Sequence, residues 1–531
     1  MIHRVIARAA MRFALAVVLA STAASVAAEP VVLHQGTAAE PPSLDPTVAA
    51  GSLAAPLLTD LVAGLLMRDA GSRPAPGSAE SWSISEDGRS YTFHLRPGLT
   101  WSDGRPLNAD DFVYSFRRLM TPATASTLAG VFFFIEGARA VFRGEAAPET
   151  LGVAAPDART FVMRLEHPVP YLPQLLANVQ VAPVPRHVIE QYGNDWTRAG
   201  RMVGNGPYVL AGRVPQDHIR LVRNPRFFAA DTVAIDEIWW HPTQDLGTSL
   251  RRFRAGELDI VLNFPPDEID WIRANMPEAL HVVPALGTYF LAVNTARAPF
   301  DDPRVRRALS LAIDREAITE RLLRTGVRPA WSLVPPDVDG DVGGLRQADD
   351  ELPLARRQAL ARELLDAAGF GAAQPLVVPL VYDTQEENRK LMVALAGMWQ
   401  AVGVRAELTN LDFRALTGRI RAMNFDVARW AYFGTFSDAY AFLQLLESGN
   451  PNNWARWSNA RFDRLLAQSN ETRDDGARVA LLREAEALMM AEHPVIPIYF
   501  YVGRRLVSPV VKGWIDTPRG TTPTRFLRVE R

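Results

Sequence analysis

The chain has 531 residues, is 48% hydrophobic and 22% charged, and carries a formal net charge of −2. That length predicts about three domains of ordinary soluble character, and the near-neutral balance excludes whole-molecule attraction to nucleic acid or to an anionic membrane. The complete lack of cysteine excludes disulfides, thiolate metal sites and a cysteine nucleophile.

In chain order, His3, Arg4, Arg8 and Arg12 precede the apolar run Phe13–Ala20, and the small residues "STAASVAA" follow. This reads as a secretory signal peptide over 1–28, cleaved after Ala27 or Ala28. The apolar run is too short for a membrane span, which needs about 20 residues. No cysteine stands at the cleavage site to take a lipid, so a soluble, unlipidated periplasmic protein is expected.

"VVLHQGTAAEPPSLDP" (31–46) reads as a strand that breaks into a loop at Pro41–Pro42. In "YTFHLRPG" (91–98), Tyr91, Phe93 and Leu95 share one face of a strand before a Pro97–Gly98 turn. A helix follows, capped by Asn108 with Asp111 three residues on, and its stripe is Phe112, Val113, Phe116 and Leu119. Asp302 caps a second helix with Pro303 at its first position, and Asp314 starts a further helical pattern. Leu360, Leu364 and Ala368 form a stripe that Gly369 stops, and 478–491 is another helix. Alternating strands and helices, with short antiparallel pieces early on, predict α/β or α+β lobes and not a bundle or a sandwich.

Signs of catalysis or metal binding are few. There is no Walker A sequence, GxSxG or HExxH, and the nine histidines lack ligand spacing. "DVDGDVGG" has alternating carboxylates, but Val342 and Ala348 stand where a calcium loop needs glycine and glutamate. The acidic stretch 337–351 is therefore expected to be an exposed loop. "GNGPYVL" (204–210) has Val209 where a dinucleotide fingerprint needs its third glycine, so it reads as a turn entering a strand. No catalytic residue, metal site or cofactor is predicted.

Five segments together carry a resemblance. They are "AESWSISEDGRSYTFHLRPGLTWSDGRPLNADDFVYSFRRLMTPATAS" (79–126), "VGNGPYVL" (203–210), "FRAGELDI" (253–260), "LAVNTARAPFDDPRVRRALSLAIDRE" (291–316) and "FDVARW" (425–430). In this order the chain resembles the peptide/nickel class of extracytoplasmic solute-binding proteins (family 5), and most of all the periplasmic oligopeptide-binding proteins of ABC importers. The resemblance implies an α/β, two-lobed periplasmic-binding-protein fold with a hinge. Lobe I would comprise 29–62, 186–285 and 500–531, with an extra domain over 63–185, and lobe II would be 286–499. The chain would cross between lobes at "VVPALGTYFLAVN" and "HPVIPIYFYVG". The implied function is a monomeric receptor that hands a short peptide or related solute to membrane permease subunits. A non-peptide solute is the alternative, and a secreted hydrolase is a less favoured class.

The resemblance also implies site residues. Arg429 occupies the position of a cleft arginine that meets a peptide carboxylate, and its permanent charge and planar fork suit that task. The competing reading is an internal ion pair, with Asp426 or a distant carboxylate. Aligning on Phe442–Leu443 puts Thr435 where the oligopeptide binders carry the aspartate that takes the peptide ammonium. Asp438, three residues on, is the candidate substitute. Trp430, Tyr432 and Phe433 are candidate pocket walls. Tyr289 and Asn294, flanking the hinge-side strand, are further candidates, with a core role for Tyr289 left open.

Overall fold

The computed structural model describes residues 29–49, 53–339, 342–518 and 521–531; the expected signal peptide lies outside the described residues. Tyr91, Phe93 and Leu95 are buried along one face of Ser90–Leu95, as the alternation requires. This strand lies inside a four-stranded antiparallel sheet, between Ala79–Ile84 and Thr160–Arg164, with Val153–Asp157 at the far edge. The helix Ala109–Met120 packs on it. Its capping box is complete: the Asn108 side chain accepts from Asp110 N at 2.9 Å, and Asp111 accepts from Asn108 N at 2.9 Å. Phe112 and Phe116 meet Phe161 with ring centroids 6.1 and 5.6 Å apart. Such aromatic pairs add about 0.5–1.5 kcal/mol each beyond simple burial.

An eleven-stranded sheet runs through the rest of the molecule. At its centre Leu280–Val293 and Val495–Val507 run antiparallel, paired from Leu280↔Leu506 to Ala292↔Val495. These are the two segments expected to cross between the lobes. At 14 and 13 residues they are far longer than the usual strand of about 5–6. One flank continues through Val427–Phe433, Val377–Asp383 and Arg405–Leu411; the other continues through Ile260–Val261, Val32–Thr37 and Glu237–Pro242.

Each flank has its own core. Tyr289, Leu291, Leu309, Trp399 and Ile496 pack together on the lobe II side, where Trp399 Nε1 donates to Leu309 O at 2.9 Å. Leu33, Ile219, Leu221 and Ile238 pack on the other. A third core joins the small-sheet domain to lobe II. There Tyr171 stacks on Phe436 with centroids 4.5 Å apart and planes 8° from parallel.

Helix boundaries fall where local chemistry puts them. Asp302 accepts from Arg304 N at 2.8 Å and starts Pro303–Leu311. Leu354–Ala367 ends ahead of Gly369, whose φ of +91° suits only glycine. The pattern opened by Asp314 is wound as a π-helix over Ala317–Leu323.

The stretch 337–351 is a correction: it is not a solvated loop. Val338 and Val342 are buried, and so is Asp350. Three of its other carboxylates find partners on neighbouring elements, Asp337 with Arg328, Asp339 with Gln174 and Asp349 with Arg307. The acidic composition reflects this neutralisation by distant residues, which local sequence does not display. Among the described residues no acidic or histidine cluster has the makings of a metal site.

"GNGP" is a clamp as well as a turn. Asn205 makes two hydrogen bonds to the backbone of Ala63, at 2.9 and 2.7 Å. A Cβ on Gly206 would lie 2.4 Å from Leu61 C and Val62 N. Gly206→Ala is expected to lower stability by about 1–3 kcal/mol or more, through overpacking against immovable backbone. Urea denaturation of the variant checks this; an unchanged midpoint contradicts the close approach.

Candidate functional site

The strand ends that meet at the crossing build a cleft of about 780 Å³ between the lobes. One side is built by Thr37 and Ala38 at the end of Val32–Thr37, by Val261 to Asn263, and by Arg505 on Val495–Val507; Asn178 to Gln180 and, from the other flank, Leu286 and Phe433 to Thr435 complete it. The walls mix aliphatic side chains such as Leu53, Val179, Leu246 and Leu262 with many polar ones, among them Thr37, Ser72, Asn178, Ser249 and Asn263.

Of the eight candidate residues, Phe433 and Thr435 line this cleft. Phe433 closes the strand Val427–Phe433 opposite Gly287, and its ring lies where a side chain at 287 would sit, 2.5 Å from that Cβ position. The ring is 53% exposed and stands 4.7 Å from Tyr501. Gly434 N donates to Leu286 O at 2.8 Å, which fixes the backbone that presents Thr435.

Arg429 has the internal role. Its Nη1 lies 3.0 Å from Asp383 Oδ2, and both side chains are buried. Its guanidinium also sits 4.9 Å from the centre of the Tyr289 ring. Tyr289 is fully buried, stacks on Tyr499 at 4.7 Å and donates to Asn388 Oδ1 at 2.9 Å. Asn388 in turn donates to Asp383 at 2.7 Å. Arg429, Tyr289, Asn388 and Asp383 thus form one buried network, the alternative the sequence left open, with Asp383 in place of Asp426. Asp426 pairs with Arg297 at 3.2 Å.

Asp438 is spent as well. Both its oxygens accept from Arg478, at 2.7 and 3.0 Å, and one caps Tyr440 N at 2.8 Å. It is buried, with both oxygens occupied by these partners. Asn294 stitches backbone, donating to Phe425 O at 3.1 Å. Trp430 packs edge-on against Trp454 at 4.6 Å, and Tyr432 against Phe442 at 5.4 Å.

Arg505, Asn263 and Gln180 are cleft residues that the sequence reading did not single out. Arg505 did leave a sign. "YFYVGRRLV" places two cations inside an otherwise apolar strand, where burial of charge is costly unless the charge has a task.

Comparison with known proteins now bears on this cleft. A family model described as bacterial extracellular solute-binding proteins, family 5, matches residues 73–454. The chain belongs to that family. Among family 5 relatives, the periplasmic murein peptide-binding protein MppA of Escherichia coli is 35% identical over 494 residues, covering 92% of this chain and 91% of the relative. The probable deoxycholate-binding periplasmic protein YgiS of the same organism is 36% identical over 489 residues, covering 91% and 90%. In structure, the unliganded open form of MppA superposes with a TM-score of 0.85 at 35% identity, over 94% of this chain and 98% of that one. The Haemophilus influenzae OppA complex with RPPGFSPFR superposes at 0.77 and 32% identity, over 95% and 99%. The two-lobed fold is that of these solute-binding proteins.

Removing one member of a buried ion pair costs about 3–5 kcal/mol, because its partner is left charged and unpaired. Arg429→Ala is therefore expected to destabilise by that amount in urea denaturation, and the paired change Arg429→Met with Asp383→Leu by less. An unchanged unfolding midpoint for Arg429→Ala would return Arg429 to the list of ligand contacts.

Proposed function

We propose that this protein is the periplasmic receptor of an ABC importer and binds a short peptide or related solute between its lobes. The observation that carries the reading is a cleft walled by both lobes and the small-sheet domain, at the strands that join them. Family 5 membership and the peptide-binding relatives support it. The proposed units are lobe I over 29–62, 186–285 and 500–531, the extra domain over 63–185, and lobe II over 286–499.

A ligand touching both walls binds the closed form better than the open one, so it shifts the population toward closure. The closed form then docks on the permease subunits, where ATP is spent elsewhere in the transporter. The receptor acts as a monomer and changes no covalent bond of its cargo.

A second reading, a non-peptide solute in the same cleft, is favoured by one observation. On the resemblance, Thr435 falls where the oligopeptide binders carry the aspartate that takes the peptide ammonium, and Asp438, the candidate substitute, is committed to Arg478. YgiS, named as a probable deoxycholate binder, supports that breadth of cargo within the family.

Small-angle X-ray scattering is expected to show a smaller radius of gyration at saturating ligand, the ligand first being identified by mass spectrometry of what denaturation releases from purified protein. A scattering curve that does not change at saturation contradicts the closure mechanism. Chemical conversion of the ligand would instead favour the hydrolase.

A further inference from the structure

The charge in this cleft is one-sided. Among the described residues lining it, Arg68 and Arg505 are charged and none is acidic. Arg525 stands behind them and donates to Arg68 O at 2.7 Å. Asp60 lies close by, on the helix Ala55–Leu61 whose Ala55, Pro56 and Thr59 line the cleft. It is buried, and burial raises its carboxyl to about 8. It therefore stays mostly protonated at neutral pH and does not offset the arginines.

Arg505 itself is under-used. Its Nε and Nη1 are buried and find no hydrogen-bond partner, and no carboxylate among the described residues comes within ion-pairing distance. Its nearest electrostatic influence is Asp516, which is bonded to His281 and to Trp514 Nε1. Burial lowers the guanidinium only to about 10, so it remains cationic at neutral pH. Space is made for it: a Cβ on Gly503 would lie 2.6 and 2.7 Å from Nη1 and Nη2. A half-buried cation with idle donors carries a desolvation cost that an incoming anion would offset.

From this geometry we infer that the solute held in the cleft presents an anionic group, a carboxylate or its equivalent, to Arg505, and that a free ammonium contributes little to its binding. The inference rests on the proposed solute-binding role and narrows its cargo. A planar guanidinium fork matches a carboxylate with two parallel hydrogen bonds. The carboxylate can be the end of a peptide or belong to a non-peptide acid, and the mixed polar and aliphatic lining of the cleft accommodates either body.

Titration calorimetry of ligand-stripped full-length protein with five probes tests this. They are Ala-Ala-Ala, its C-terminal amide, N-acetyl-Ala-Ala-Ala, the N-acetyl amide, and octanoate. Converting the carboxylate to amide is expected to weaken binding about ten- to hundredfold, the range for a hydrogen bond to a charged group. Acetylating the amine is expected to change binding less than threefold. Arg505→Gln should erase the acid–amide difference, and Arg505→Lys should keep part of it, with melting temperature followed for both. If Arg505→Gln does not fold, Arg505→Lys decides: an undiminished acid–amide difference overturns the inference.

The two readings fail differently. If the free-amine amide binds best, or if the acid–amide difference survives in Arg505→Gln, the inference is overturned while the peptide reading stands. Arg505-dependent binding of octanoate with no binding of the peptides keeps the inference and ends the peptide reading. Silence from all five probes counts against both.

Discussion

Everything in this molecule is organised by the antiparallel pairing of Leu280–Val293 with Val495–Val507. Two long strands bonded to one another satisfy each other's backbone groups across the waist, where lone strands would leave them exposed to the cleft. Each strand also pairs outward with its lobe: Leu280–Val293 with Val427–Phe433, and Val495–Val507 with Ile260–Val261. The lobes therefore share one sheet. The residues that end or turn at this junction, Leu286, Phe433 to Thr435 and Arg505, line the cleft.

The electrostatics follow from which carboxylates are already engaged. Asp383 serves Arg429, Asp438 serves Arg478, and Asp60 is held neutral by burial. Such pairs are weak evidence for net stability but strong determinants of arrangement, since losing one partner strands the other. With the acids committed inside the lobes, the surface left for the guest has a positive bias. The sign of a binding site is here set as much by ion pairs behind its walls as by the residues in them.

Much of this was legible in the sequence, and the limits have a common cause. Alternation at Tyr91, Phe93 and Leu95 and the Asn108–Asp111 box are local, so short-range rules capture them. The two crossing segments and the two-lobed fold came from the resemblance. What escaped depends on distant partners. Asp383 lies 46 positions before Arg429, and Arg478 lies 40 after Asp438; neither spacing has a periodicity to read. The acidic run 337–351 misled for the same reason, because its neutralising arginines Arg307 and Arg328 sit on other elements. The resemblance singled out Thr435, and its aromatic character singled out Phe433; both line the cleft, while Arg429, four residues before Phe433, is paired inside with Asp383.

The central ladder also has two register breaks, between Pro284 and Thr288 and between Tyr289 and Phe290. Irregular steps lose cross-strand bonds and accept extra bend and twist. Ala285 and Leu286 belong both to the first irregularity and to the cleft wall. The bend of the shared sheet is thus placed at the cleft wall, so the shape of that wall and the set of the two flanks are fixed by the same few residues.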